Sequence, residues 1–90
     1  MTKYEIDLHE IYSADDLQGL LEETLPLPDY YGGTLDALYD VLTEQSAGWS
    51  LHFTGCAEAE AVLGKYVRSL KRMCERAAQE NEKLEVSFED

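Results

Sequence analysis

Asp36 and Asp40, four positions apart, are the residues of this sequence best placed to do chemistry. On a helix that spacing puts both carboxylates on one face, with Tyr39 beside Asp40. Ionised carboxylates only accept hydrogen bonds, so the pair can receive guanidinium or ammonium groups. Short aspartate side chains hold that charge close to the helix, and little rotamer freedom is lost when a cation binds. Just upstream, Leu27-Pro28-Asp29-Tyr30-Tyr31-Gly32-Gly33 reads as a loop, with two glycines free to take positive φ and one tyrosine expected inward, one outward. A carboxylate pair can also serve acid–base catalysis, but that requires a concave site and shifted pKa values, which a convex, exposed helix face does not offer. Ser13 and Ser46 have no evident histidine and acid partners, His9 and His52 fall on polar strand faces, and Cys74 falls on an apolar stripe. The pattern thus leaves two readings open, a merely solvated helix face, which spacing alone favours, and a protein-binding epitope; an enzyme is the least favoured.

The surrounding elements must position that epitope. Tyr4, Ile6 and Leu8 alternate with Glu5, Asp7 and His9, the signature of a half-buried strand. Ser13 is a good N-cap with Asp16 at the third helical position, and Tyr12 and Leu17 are spaced for a hydrophobic staple. Leu17, Leu20, Leu21 and Leu25 give the first helix its core stripe, and Pro26 and Pro28 end it. Thr34 caps a second helix running to about Glu44, with Leu35, Leu38 and Leu42 inward and Asp36 in the favourable first turn. Gly48 leads into a second strand, with Trp49, Leu51 and Phe53 on one face. A long helix from about Ala57 to Gln79 carries the stripe Val62, Leu63, Tyr66, Val67, Leu70, Met73, Cys74 and Ala77; acids early and Arg68, Lys71, Arg72 and Arg76 late suit its macrodipole. Leu84, Val86 and Phe88 mark a last strand. Strands separated by helices favour a parallel sheet, and their strict alternation predicts helices on one face only. The expected fold is α/β: a small three-stranded parallel sheet with three or four helices on one face, in one domain spanning 1–90.

Composition narrows the partner. Nineteen Asp and Glu against seven Lys and Arg give a net charge of −12, which repels nucleic acid and anionic lipid and attracts cationic partners. Met1-Thr2-Lys3-Tyr4-Glu5 shows no basic region followed by an apolar run, and no long apolar run occurs, so neither export nor membrane insertion is expected. If one helix connects Cys56 and Cys74, at ~1.5 Å per residue they are too far apart to bridge. Free thiols point to a reducing cytoplasm. Two cysteines and two distant histidines provide no metal-ligand spacing, and no cofactor is expected.

The run from Leu27 to Asp40, LPDYYGGTLDALYD, resembles the signature of the barstar family, read as L-P-x-Y-Y-G-x-x-L-D-A-L-x-D. Residues 1–26 and 57–90 fit the family's opening and closing elements by pattern. The resemblance implies a cytoplasmic, monomeric inhibitor that plugs the active site of a basic, secreted, barnase-like ribonuclease, one-to-one, with its second helix and preceding loop. By motif position the contact set would be Tyr30, Gly32, Thr34, Leu35, Asp36, Tyr39, Asp40 and Glu80. Asp40 would occupy the phosphate pocket, Asp36 its edge and Tyr30 the cleft mouth, while Gly32 would allow close backbone approach. The family often has tryptophan at the position of Tyr39 and asparagine at that of Thr34, and its late-helix glutamate corresponds to Glu80 or Glu75. The connection between Trp49 and the last helix is short, which suggests a turn at 54–60 in place of a separate helix. An acidic module or nucleic-acid mimic directed at another basic toxin or protein shares the charge, but would need its acids spread along a duplex-like track.

Overall fold

The computed structural model describes residues 1–90. The three alternating segments form β1 (Thr2–Asp7), β2 (Trp49–Thr54) and β3 (Leu84–Phe88), and the helical stripes form α1 (Ala14–Thr24), α2 (Leu35–Glu44) and α3 (Cys56–Glu80). All pairing is parallel, in the order β1-β2-β3, with Ile6, Phe53 and Phe88 in one cross-strand row. The inward residues Ile6, Leu51 and Phe53 are fully buried, and Leu84 nearly so; Phe53 and Phe88 stack at 5.1 Å. On the other face Lys3, Glu5, Asp7, Glu85 and Ser87 are exposed, and His52 lies 2.6 Å from the Ser87 hydroxyl and 3.1 Å from Glu89. The sheet is therefore covered on one side only, as strict alternation requires. No helix is long and apolar enough to cross a membrane.

The helix starts follow the capping rules. Ser13 Oγ accepts the Asp16 N–H at 3.1 Å while Asp16 accepts the Tyr12 N–H, also at 3.1 Å. The expected Tyr12 staple does not form: Tyr12 is 68% exposed, and the residue that turns inward at this entry is Ile11. Thr34 Oγ1 accepts the Ala37 N–H at 3.1 Å and opens α2, whose Leu38 and Leu42 are fully buried; Leu35, at the rim of the core, is only half-buried.

The third helix departs most from expectation. The segment 54–60 is no turn, because Gly55 (φ +70°) starts a helix at Cys56. A Cβ on Gly55 would lie 2.7 Å from the His9 ring and 2.8 Å from the His9 backbone nitrogen, so the position demands glycine on both conformational and steric grounds. The helix then breaks at Leu63 (φ −124°, ψ 40°), next to Gly64, a poor helix former, so the stripe changes phase there. Val62, placed in the core stripe by spacing, is accordingly 50% exposed, whereas Val67, Leu70, Cys74 and Ala77 are fully buried. The favourable cationic end is missing too, since the last turn of α3 holds no basic residue. Both cysteines are free and buried, and burial pushes the Cys74 thiol up to about 12.

Asn81, just past α3, ties its helix end to that of α2. Its side-chain amide donates to the Leu42 and Gln45 carbonyls at 2.9 Å each and to Thr43 at 3.4 Å, while its own N–H closes α3 on Ala77. These are carbonyls that a helix C-terminus leaves without internal partners. Gln45 adds two more ties, donating to the Lys83 carbonyl and accepting the Gly48 N–H at 3.0 Å each. Asn81→Ala should lower stability by about 1–2 kcal/mol, read as a reduced urea midpoint at unchanged m-value. An unchanged midpoint would show that solvent serves these carbonyls equally well.

Candidate protein-binding face

The outer surface of α2 carries three exposed acids, Asp36, Asp40 and Glu44, at consecutive four-residue steps. Each step rises ~6 Å along the helix, so the carboxylates form a line. Asp36 gains from the helix N-terminus, but Glu44 is the last helical residue, at the negative end of the macrodipole, with no basic residue in that turn. Neighbouring like charges at this spacing each cost about 0.2–0.5 kcal/mol. No cation of the structure forms an ion pair with any of the three.

Two open, shallow depressions flank the line. Asp36 borders one, shared with Gly33, Leu35 and Tyr66; Asp40 and Glu44 border the other, shared with Tyr30, Gly32 and Val41. The surface between them is the convex ridge of α2 itself. It offers acceptors to an incoming cation but no enclosed cavity for a small substrate.

The preceding loop is held by a part-buried polar relay centred on the buried Gln18. Tyr31 donates its hydroxyl proton to Gln18 Oε1 and also lies 3.3 Å from the Thr34 carbonyl; Gln18 in turn donates to the Tyr66 hydroxyl at 2.9 Å. The loop is thereby tied to α1 and α3 at once. Burial pushes the Tyr31 phenol up to about 12, aided by Tyr66 and Glu22 and opposed by the hydrogen bond to Gln18. Tyr30 is 85% exposed, so one tyrosine points in and one out. Of the two loop glycines only Gly33 takes positive φ (+71°). A Cβ on Gly32 would meet only the Ala37 methyl, at 3.7 Å, so the fold itself does not require glycine there.

Two candidate residues lie differently from their sequence-based placement. Tyr39 is half-buried against the core on the α3 side of α2, and Arg76 lies over its ring at 5.3 Å. Its outer ring face is thus already covered by a cation. Glu80 ends α3 with its carboxylate 4.0 Å from Arg76, so it is linked to α2 through Arg76 and Tyr39 and not through the aspartate line; Glu75 is exposed and forms no ion pair. Sequence reasoning assigned no part in this face to three residues that build it, Glu44 and Arg76 on the surface and Gln18 beneath it. Glu44 is a further four-residue step from Asp40, Gln18 is a polar residue inside the Leu17–Leu21 stripe, and Arg76 stands four before Glu80; each spacing was present to be read.

Comparison with known proteins adds two findings. Residues 1–89 match the family model described as "Barstar (barnase inhibitor)". The protein named "Putative ribonuclease inhibitor YrdF" of Bacillus subtilis (strain 168) is 32% identical over 85 residues, covering 89% of this chain and 89% of that protein.

Two measurements check this geometry. Because the folded-state phenol of Tyr31 holds its proton above the unfolded value near 10, its contribution is complete below that pH and fades as pH rises toward about 12. Tyr31→Phe should therefore remove the highest-pH step of the tyrosinate absorbance titration and flatten the loss of stability between those two values. Glu44→Lys should raise stability by about 0.5–1 kcal/mol, by relieving both the helix end and the Asp40 contact; a lower thermal midpoint would contradict the electrostatic account.

Proposed function

This chain belongs to the barstar family, and we propose that it inhibits a basic, barnase-like ribonuclease by occluding that enzyme's active site, one-to-one, in the cytoplasm of the cell. Members of the family are inhibitors and not enzymes. The observation that carries the proposal is the line of uncompensated acids on α2, held on a rigid support with a loop that leaves Tyr30 exposed. An acid line that costs the free protein stability is accounted for by a partner that neutralises it.

In this reading Asp40 stands where a substrate phosphate would lie, and bidentate arginines of the enzyme satisfy its carboxylate. Asp36 meets cationic groups at the pocket edge. Tyr30 packs at the cleft mouth, with Thr34 and Leu35 lining the approach beside it. Gly32 lets the enzyme close on the backbone, which supplies a reason for a glycine that the fold does not need. Tyr39 contributes from beneath the Arg76 guanidinium, and Glu80 contributes a carboxylate at the far edge. The strongly negative surface speeds encounter with a basic enzyme, so association should slow as salt rises.

The test is calorimetric titration into a catalytically inactivated barnase-like ribonuclease. Wild type should bind tightly with unit stoichiometry. Asp40→Ala should weaken binding by on the order of 100-fold, because it strands buried arginines on the partner. Gly32→Ala should leave the melting temperature unchanged while also weakening binding. An Asp40→Ala variant that binds and inhibits like wild type would sink the proposal.

A further inference from the structure

All three arginines of the chain, Arg68, Arg72 and Arg76, fall four residues apart on α3, and Lys65 and Lys71 put five of the seven cationic residues on that one helix. In a protein of net charge −12 this is a segregation of cations, on a helix that packs against the acidic α2. Their partners within the molecule are sparse. Arg68 shares Glu60 with Lys71, each at 3.6 Å, and Arg72 reaches only the Ser69 hydroxyl at 3.4 Å. Arg76 lies over Tyr39 and stays 4.0 Å from Glu80, with 72% of its side chain exposed. A guanidinium has five donors in a fixed fork, so Arg72 and Arg76 each retain most of theirs. The stacking on Tyr39 moreover fixes Arg76 at the border of the acidic face, where it is already oriented before any partner arrives. Equal charges at four-residue spacing disfavour the helix that carries them, and none of these cations stands in the last turn of α3, where the macrodipole would favour them most.

We propose that Arg72 and Arg76 form a second, cationic half of the binding face, which receives carboxylates on the rim of the same partner that takes Asp40 into its basic cleft. The inference rests on the inhibitor reading and adds to it a statement about the enzyme: its cleft is basic, but the part of its rim that faces Arg72 and Arg76 carries acidic side chains, while Glu80, one turn further along, keeps its contact at the edge. The face is then bipolar. Acids on α2 and arginines on α3 fix the rotation of the partner about the docking axis, and a uniformly basic nuclease surface is rejected by like charge against Arg76.

Charge reversal separates this from simple attraction of opposites. Arg72→Glu with Arg76→Glu makes the chain four units more acidic, so steering by net charge predicts faster association with a basic ribonuclease. The bipolar face predicts the reverse. Stopped-flow association with the inactivated barnase-like ribonuclease should be slower than wild type by about threefold or more at low salt, with the two rates converging as salt rises. Arg72→Glu alone, which removes a single hydrogen bond to Ser69 and no ion pair, should show a smaller slowing and an unchanged melting temperature, which guards against misfolding as the cause. Association that is unchanged or accelerated in both variants, while Asp40→Ala still abolishes tight binding, overturns the inference and leaves the inhibitor reading standing. Binding insensitive to Asp40→Ala brings down the inhibitor reading, and this inference with it.

Discussion

The Asn81 amide that donates to the Leu42 and Gln45 carbonyls at 2.9 Å is the junction on which the acidic face depends. The second helix has ten residues, a length that is marginal in isolation, and its exposed side carries three acids that repel one another. Its persistence as a straight, rigid ridge therefore has to come from the other side. Leu38 and Leu42 supply the apolar anchorage, Thr34 satisfies a free amide at the start, and Asn81 takes up the carbonyls at the end. Removal of any of these leaves the repulsion unopposed at that point.

The same logic explains why the loop before α2 is built as it is. Tyr31 is drawn inward to Gln18, and Gln18 to Tyr66, so a single relay fixes the loop to two other helices. Tyr30, the adjacent residue, is left outside as a consequence. Rigidity matters for a binding surface because each side chain already in place lowers the ordering cost of association. A carboxylate line on a preorganised helix is then a surface suited to a cationic cleft, whereas the same acids on a mobile loop would lose much of their advantage.

The third helix serves two roles. Its inner side, Val67, Leu70, Cys74 and Ala77, carries the core against the sheet, and its outer side gathers most of the cations of the chain. The break at Leu63 allows the first turns, anchored at Cys56 and Ala59, to follow a different direction from the long remainder. On the long remainder, Arg76 lies over Tyr39, where positive charge meets the border of the negative face.

Sequence alone determined what depends on local periodicity and local capping. Alternation at residues 4–8, 49–53 and 84–88 set the strands and their buried sides, Ser13 and Thr34 set two helix starts, and the spacing of Asp36 and Asp40 set their common face, since each of these signals acts within a few residues. The family motif between Leu27 and Asp40 lay within the same short range. Where distant segments meet was decided by the tertiary structure. The steric need for glycine at position 55 arises from His9, the inward turn of Tyr31 from Gln18 and Tyr66, the capping of α2 from Asn81, and the covered ring of Tyr39 from Arg76. Val62 shows the limit from the other direction: helical spacing assigned it to the core, but a break one residue later changed the phase and turned it to solvent. Periodicity records which side of an element is apolar, but the partner that each polar side chain finds across the fold is fixed only when the elements pack.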